Sequence, residues 1–152
     1  MVNFHIKFTS QKKIDMKGFT TNIEKDTLEN RDFRKVLYTG KHLQLVLMSL
    51  KPGEDIGEET HRNVDQFFRF ESGTGKCIID GNEYELKEGT VIVVPAGAKH
   101  NIINTGNTKP LKLYTLYGPP NHQDGTIRVT KEDALKNEEK FDGKVSEKVV
   151  LQ

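Results

Sequence analysis

An all-β fold is predicted for this chain, and three observations carry the prediction. Short apolar runs rich in β-branched and aromatic residues recur between residues 34 and 118. Turns bearing glycine or proline separate them at intervals of about 8–12 residues, which is the punctuation of a sandwich or barrel. Segments with helical periodicity are scarce.

The strands can be taken in order. "RKVLYTG" and "HLQLVLMSL" are β-prone runs that end in glycine or in "KPG". In "DQFFRF", Gln66 shares a face with Phe68 and Phe70, whereas Arg69 shares parity with Phe67 and is expected to point outward. "KCIID" and "NEYELKEG" flank an Asp-Gly pair, the strongest hairpin signal in the chain. In the second of these, Glu83, Glu85 and Lys87 alternate with Tyr84 and Leu86, so Tyr84 and Leu86 are expected to face the core. "TVIVVPAG" is a fully apolar strand stopped by proline. "HNIINTG" and "PLKLYTLYG" follow, the latter with Lys112 toward water and Leu111, Leu113, Thr115 and Tyr117 inward. Two helices are expected: a turn or two in "TNIEKDTLENRDF", and a better one in "TKEDALKNEEKF", where Thr130 can cap and Asp133 occupies the third helical position.

The 152 residues suit one domain. They divide into an N-terminal arm (1–15), a barrel (16–128), and a C-terminal helix and tail (129–152). Acids and bases are mixed and the net charge is +1, so nucleic acid is not an expected partner. No apolar run approaches the ~18 residues of a membrane span. The N-terminus "MVNFHIKFTSQKK" lacks the apolar core of a secretion signal, and Met16 is an alternative start. The lone Cys77 reads as a buried strand residue, and one cysteine fits a reducing, cytoplasmic setting. The tail "DGKVSEKVVLQ", with its glycine and charges, is a candidate for ordering by a partner.

Two clusters carry chemistry. The first runs Gly53, five residues, Glu59, one residue, His61, four residues, Gln66, six residues, Gly73. The second runs Gly89, five residues, Pro95, one residue, Gly97, two residues, His100, three residues, Asn104. Glu59 and His61, two apart on an extended segment, can converge on one ion. Gln66 opens an inward apolar stripe and needs a polar partner there, because an unpaired buried amide costs ~1–3 kcal/mol. His100 follows a tight turn, which can place it opposite the first cluster.

The pair of clusters resembles the two motifs of the cupin superfamily. The second matches at every position; the first matches in spacing but has Glu59 for the first histidine and Gln66 for the acid. The resemblance implies a double-stranded β-helix, or jelly-roll, barrel holding one divalent metal on Glu59, His61, Gln66 and His100. An amide oxygen in place of one imidazole disfavours copper and suits zinc, with manganese, iron or nickel as alternatives. The ligand set also resembles that of type I phosphomannose isomerases. That likeness implies a sugar or sugar-phosphate isomerase acting on a small polyhydroxy compound, with Glu59 and Tyr117 as catalytic residues. The alternatives are an iron or manganese dioxygenase or decarboxylase, which two histidines and one carboxylate permit, and a non-catalytic binding barrel. No phosphate clamp is evident. His122 lies after two prolines and either folds back over the barrel mouth or sits in an exposed loop; His5 and His42 lie outside both motifs. A homodimer is expected, with "VNFHIKF" adding to a partner's sheet.

Overall fold

The structure is a computed structural model and describes residues 16–148. The expectations for the N-terminal arm, "VNFHIKF" and His5, and for the last four residues of the tail, lie outside those residues.

The elements are α1 (Ile23–Glu29), β1 (Arg34–Thr39), β2 (Gln44–Leu50), β3 (Glu59–Thr60), β4 (Asp65–Ser72), β5 (Gly75–Ile79), β6 (Asn82–Leu86), β7 (Val91–Val94), β8 (Lys99–Asn104), β9 (Leu111–Gly118), β10 (Ile127–Arg128) and α2 (Lys131–Lys136). A six-stranded sheet has the order β10-β1-β2-β9-β4-β7, and a four-stranded sheet the order β3-β8-β5-β6. All pairings are antiparallel. The chain therefore winds between two facing sheets, which is the predicted jelly roll. Both predicted helices form. Thr130 caps α2, its hydroxyl accepting from the Asp133 N–H. Among the described residues no helix is long and apolar enough to cross a membrane.

Period-two alternation builds the interior. Phe68 and Phe70 on β4, Leu111 and Leu113 on β9, and Val46 and Met48 on β2 face the small sheet's Cys77, Leu86 and Ile102. Register then stacks these residues in rows: Met48–Leu113–Phe70, then Val46–Thr115–Phe68, then Gln44–Tyr117–Gln66. The last row is polar, although Gln44, Tyr117 and Gln66 are all buried. The barrel thus turns from hydrocarbon to hydrogen-bonding chemistry at one end, and the candidate site lies there.

The motif residues that carry no ligand have structural work. Gly73 adopts φ +90°, and a Cβ there would fall 2.5 Å from the Pro110 carbonyl oxygen, so only glycine lets β4 and the start of β9 approach. Asn104 is buried; its amide donates to the carbonyls of Leu50 and Lys109 (both 3.0 Å) and its Oδ1 accepts from the Gly106 N–H at 2.8 Å. It ties the end of β8 to the end of β2 and to the loop before β9.

Three expectations are corrected. Tyr84 is exposed (46%), because β6 is an edge strand paired only to β5 and buries Leu86 alone. Lys112 does not simply face water: its ammonium donates to the carbonyls of Leu28 (2.7 Å) and Asn30 (2.6 Å), holding the C-terminal end of α1 against β9. The tail as far as residue 148, expected to take its order from a partner, also has bonds within its own chain. The Ser146 N–H donates to the Thr39 carbonyl at 2.8 Å, and the Ser146 hydroxyl donates to Asp124 at 2.7 Å.

Candidate metal centre

Strand β3 is only two residues long, yet it sets the site. It pairs with β8 so that Glu59 lies opposite His100. The chain leaves β3 through His61, whose carbonyl accepts from the Gly97 N–H at 2.8 Å; the glycine turn of the second motif thereby pins the histidine of the first. Glu59 Oε2 and His61 Nε2 are 3.2 Å apart, and ligand atoms of Glu59, His61 and His100 all lie within 4.8 Å of one another. The two imidazole rings are 5.5 Å apart between centroids.

Two buried lone pairs in this region have no partner. The His100 Nδ1–H donates to the Ala98 carbonyl at 3.1 Å. Since a carbonyl can only accept, this bond fixes the tautomer and leaves a lone pair on Nε2, which is buried and unpartnered. Gln66 is 2% exposed; its amide nitrogen donates to the Thr115 hydroxyl at 3.0 Å, and its Oε1 is buried and unpartnered. Each unpaired buried acceptor costs ~1–3 kcal/mol. A free imidazole nitrogen clustered with a carboxylate, and a free amide oxygen on the facing sheet, form a donor set suited to a borderline or hard divalent cation. The residues present therefore fit the metal that the two motifs imply.

Electrostatics agree with that reading. Burial works to raise the Glu59 carboxyl, but the hydrogen bond from His61 and the positive surroundings that include Arg34 outweigh it. Glu59 is held below the ordinary carboxylate range and is ionised at neutral pH, as a ligand must be.

Tyr117 lies opposite Gln66 in register and packs its ring edge-on against His61, 5.9 Å between centroids. Burial pushes its hydroxyl far above the ordinary tyrosine range, helped by the Glu59 charge. The loop after β9 does fold back over the barrel mouth. There His122 Nε2 accepts from the Tyr117 hydroxyl at 3.2 Å, and His122 Nδ1 donates to Glu139 Oε1 at 3.0 Å. Glu139 Oε2 in turn accepts from Arg128 at 3.0 Å. Buried Gln44 fixes the loop through three bonds: Oε1 accepts from the N–H groups of Asn121 (3.1 Å) and His122 (2.9 Å), and Nε2 donates to the His122 carbonyl (2.8 Å). His122 and Glu139 line a cavity of about 620 Å³ together with Glu59, His61, Arg34 and Phe141. His42 is not among its lining residues.

Sequence reasoning missed Gln44, Arg34 and Glu139. Gln44 had a signal, because it shares parity with Val46 and Met48 just as Gln66 does with Phe68. Arg34 shares parity with Val36, but it opens its strand after "RDF" and reads as a charged flank. Glu139 sits in the charge run "KNEEK", where nothing local marks one acid as buried.

The cupin domain family matches residues 46–117, which span β2 to β9 and include all four candidate ligands. The chain belongs to the cupin superfamily. This cupin is 51% identical over 129 residues to protein YrkC of Bacillus subtilis (strain 168), an alignment covering 81% of this chain and 69% of YrkC. The crystal structure of BH2720 from Bacillus halodurans superposes with a TM-score of 0.78 at 45% identity, covering 80% of this cupin and 96% of that chain. A shorter stretch of 67 residues is 33% identical to the mannose-1-phosphate guanylyltransferase of Salmonella montevideo, covering 44% of this cupin and 14% of that enzyme.

The His122 environment makes acid stability a direct readout of this corner. Burial holds the imidazole below its usual value of 6.5, against the pull of Glu139. The unfolded chain therefore binds the proton more readily. His122 leaves stability undiminished above about pH 6.5, and stability declines as pH falls below that value. Glu139, held below 4.5 by His122, Arg34 and Arg128 against its own burial, acts in the same direction at still lower pH. In chelator-treated protein the urea midpoint should fall between pH 7.5 and 5.5, and His122→Gln should flatten that dependence. Equal slopes in the two proteins would show that His122 is not buried as the neutral form.

Proposed function

We propose that this cupin is a metal-dependent enzyme acting on a small polyhydroxy compound, and that its reaction is isomerisation of a sugar or sugar phosphate. The observation that supports it best is the unpartnered lone pair of His100 Nε2 in the Glu59–His61–His100 cluster, with a second on buried Gln66 Oε1 in the facing sheet. Glu59, His61, Gln66 and His100 would hold one divalent ion, zinc being favoured by the mixed nitrogen and oxygen set. Such an ion, when bound, supplies Lewis-acid polarisation of a carbonyl and an anchor for neighbouring hydroxyls.

The protein's own groups provide the rest. The cavity of about 620 Å³ has room for a hexose-sized ligand. Tyr117 is buried behind the cavity wall, and its O–H, bonded to Nε2 of the lining His122, would exchange a proton with a substrate oxygen through that histidine. Glu139 holds His122 in the tautomer that accepts from Tyr117. The partial likeness to a mannose-1-phosphate guanylyltransferase, an enzyme named for a sugar phosphate, points to the same substrate class.

Zinc-loaded protein assayed on aldose–ketose pairs, with and without phosphate, tests the reading. Turnover on one pair is expected, falling at least about 100-fold in Tyr117→Phe. Stoichiometric metal with no turnover on any pair counts against isomerisation. The trio Glu59, His61 and His100 also matches the two-histidine, one-carboxylate set of non-haem iron oxygenases. Oxygen uptake by ferrous-loaded protein would favour that second reading.

A further inference from the structure

Among the described residues, Arg34 is the one buried cation, and the scheme above does not use it. It sits on β1 facing inward, in register with buried Met48, and is 8% exposed. Its guanidinium has five N–H donors, yet among the described residues it makes no hydrogen bond within 3.5 Å. Its one ion pair, Nη1 to Glu139 Oε1, is long at 3.9 Å, and Nε is buried without a partner. The Phe33 ring, 5.5 Å from Cζ, covers it on one side. A buried guanidinium costs several kcal/mol when its donors go unmet, and nothing in the packing requires an arginine here, since the neighbouring inward positions of β1 and β2 are Val36, Val46 and Met48.

The guanidinium lines the cavity next to the candidate metal centre. Its charge is felt at Glu59, Tyr117, His122 and Glu139, so it lies within reach of the same bound molecule. Around the cavity, Arg34, Arg62, Lys131 and Lys140 face three carboxylates, leaving one positive charge in excess before any metal is counted. Lys131 is already engaged by Asp55, which leaves Arg34 as the buried donor with free capacity.

We propose that Arg34 is the anchor for an oxyanion on the substrate, a phosphate or a carboxylate, bound through the paired N–H groups of its guanidinium. A planar fork of this kind matches both anions in a bidentate fashion. The inference rests on the reading of the cavity as a substrate site, and it narrows that substrate from a neutral polyol to an anionic one. It also locates the anion clamp on β1, outside both sequence motifs.

Calorimetric titration with inorganic phosphate and, separately, with malonate tests the proposal on the full chain. Wild type is expected to bind one of them saturably, and the preferred probe distinguishes a phosphate site from a carboxylate site. Arg34→Gln should weaken that binding at least tenfold, with Arg34→Lys recovering part of it. Thermal melts and metal analysis of both variants establish that fold and metal site are intact. If Arg34→Gln unfolds, Arg34→Lys alone carries the comparison, because it keeps the charge and loses the fork. Retained affinity in a folded Arg34 variant, or no saturable binding of either anion by wild type, overturns the proposal. The His61→Ala/His100→Ala protein separates the two readings. Anion binding that persists there without metal keeps the Arg34 site, whereas metal content that persists there sinks the metal centre and leaves Arg34 to be judged on the titration.

Discussion

Replacing His61 and His100 together with alanine is expected to abolish metal binding: content should fall from about one divalent ion per chain to below about a tenth, read by elemental analysis after dialysis. The two imidazoles supply the nitrogen half of the donor set, and His100 Nε2 has no other partner in the fold. The same measurement has a thermodynamic companion. A ligand present at about 100 times its dissociation constant stabilises the folded state by roughly 2.7 kcal/mol. Wild type should therefore melt higher with added zinc than with chelator, and the double variant should melt alike in both. Gln66→Ala should weaken the metal without abolishing it, since an amide oxygen is the poorest donor of the four. A double variant that keeps a full complement of metal would falsify the placement of the centre.

Asn104→Ala is expected to cost about 2–4 kcal/mol of unfolding free energy, with metal content unchanged in the folded fraction. The cost is large because one side chain serves three main-chain groups: the Leu50 and Lys109 carbonyls and the Gly106 N–H. Removing it leaves all three without their partner near the barrel wall. Asn104→Asp should be no better, since a carboxylate keeps the acceptor for Gly106 but turns a second oxygen toward two carbonyls. A urea midpoint that drops at unchanged slope is the expected signature. A loss below about 1 kcal/mol would mean that water replaces the amide and that Asn104 is not a structural tie.

How much of this was legible in the sequence depends on the range of the interaction. Period two is local, so Gln66, Phe68, Phe70, Leu113 and Tyr117 could be placed on the inner face from their neighbours alone. The spacing of Glu59 and His61 is local too, whereas bringing His100 to them rested on the resemblance of the two motifs to a known family. The Tyr84 expectation failed because alternation tells which residues share a face but not whether a strand lies at an edge. Arg34, His122 and Glu139 meet only because three segments, 105 residues apart from first to last (34 to 139), close on one cavity. No pattern in "RDFRKV" or "KNEEKF" records that encounter.

The chain beyond β10 takes part in this site as much as the barrel does. Glu139 and Phe141 form cavity wall, and the Phe141 N–H is held by the Asn121 carbonyl at 3.0 Å. Three of the candidate ligands, Glu59, Gln66 and His100, lie on paired strands, whereas Glu139 and Phe141 come from the segment after α2. The wall hangs on a few hydrogen bonds from a short terminal segment. Ending the chain before Glu139 should therefore open this side of the cavity while leaving β3, β4 and β8, and with them Glu59, Gln66 and His100, where they are.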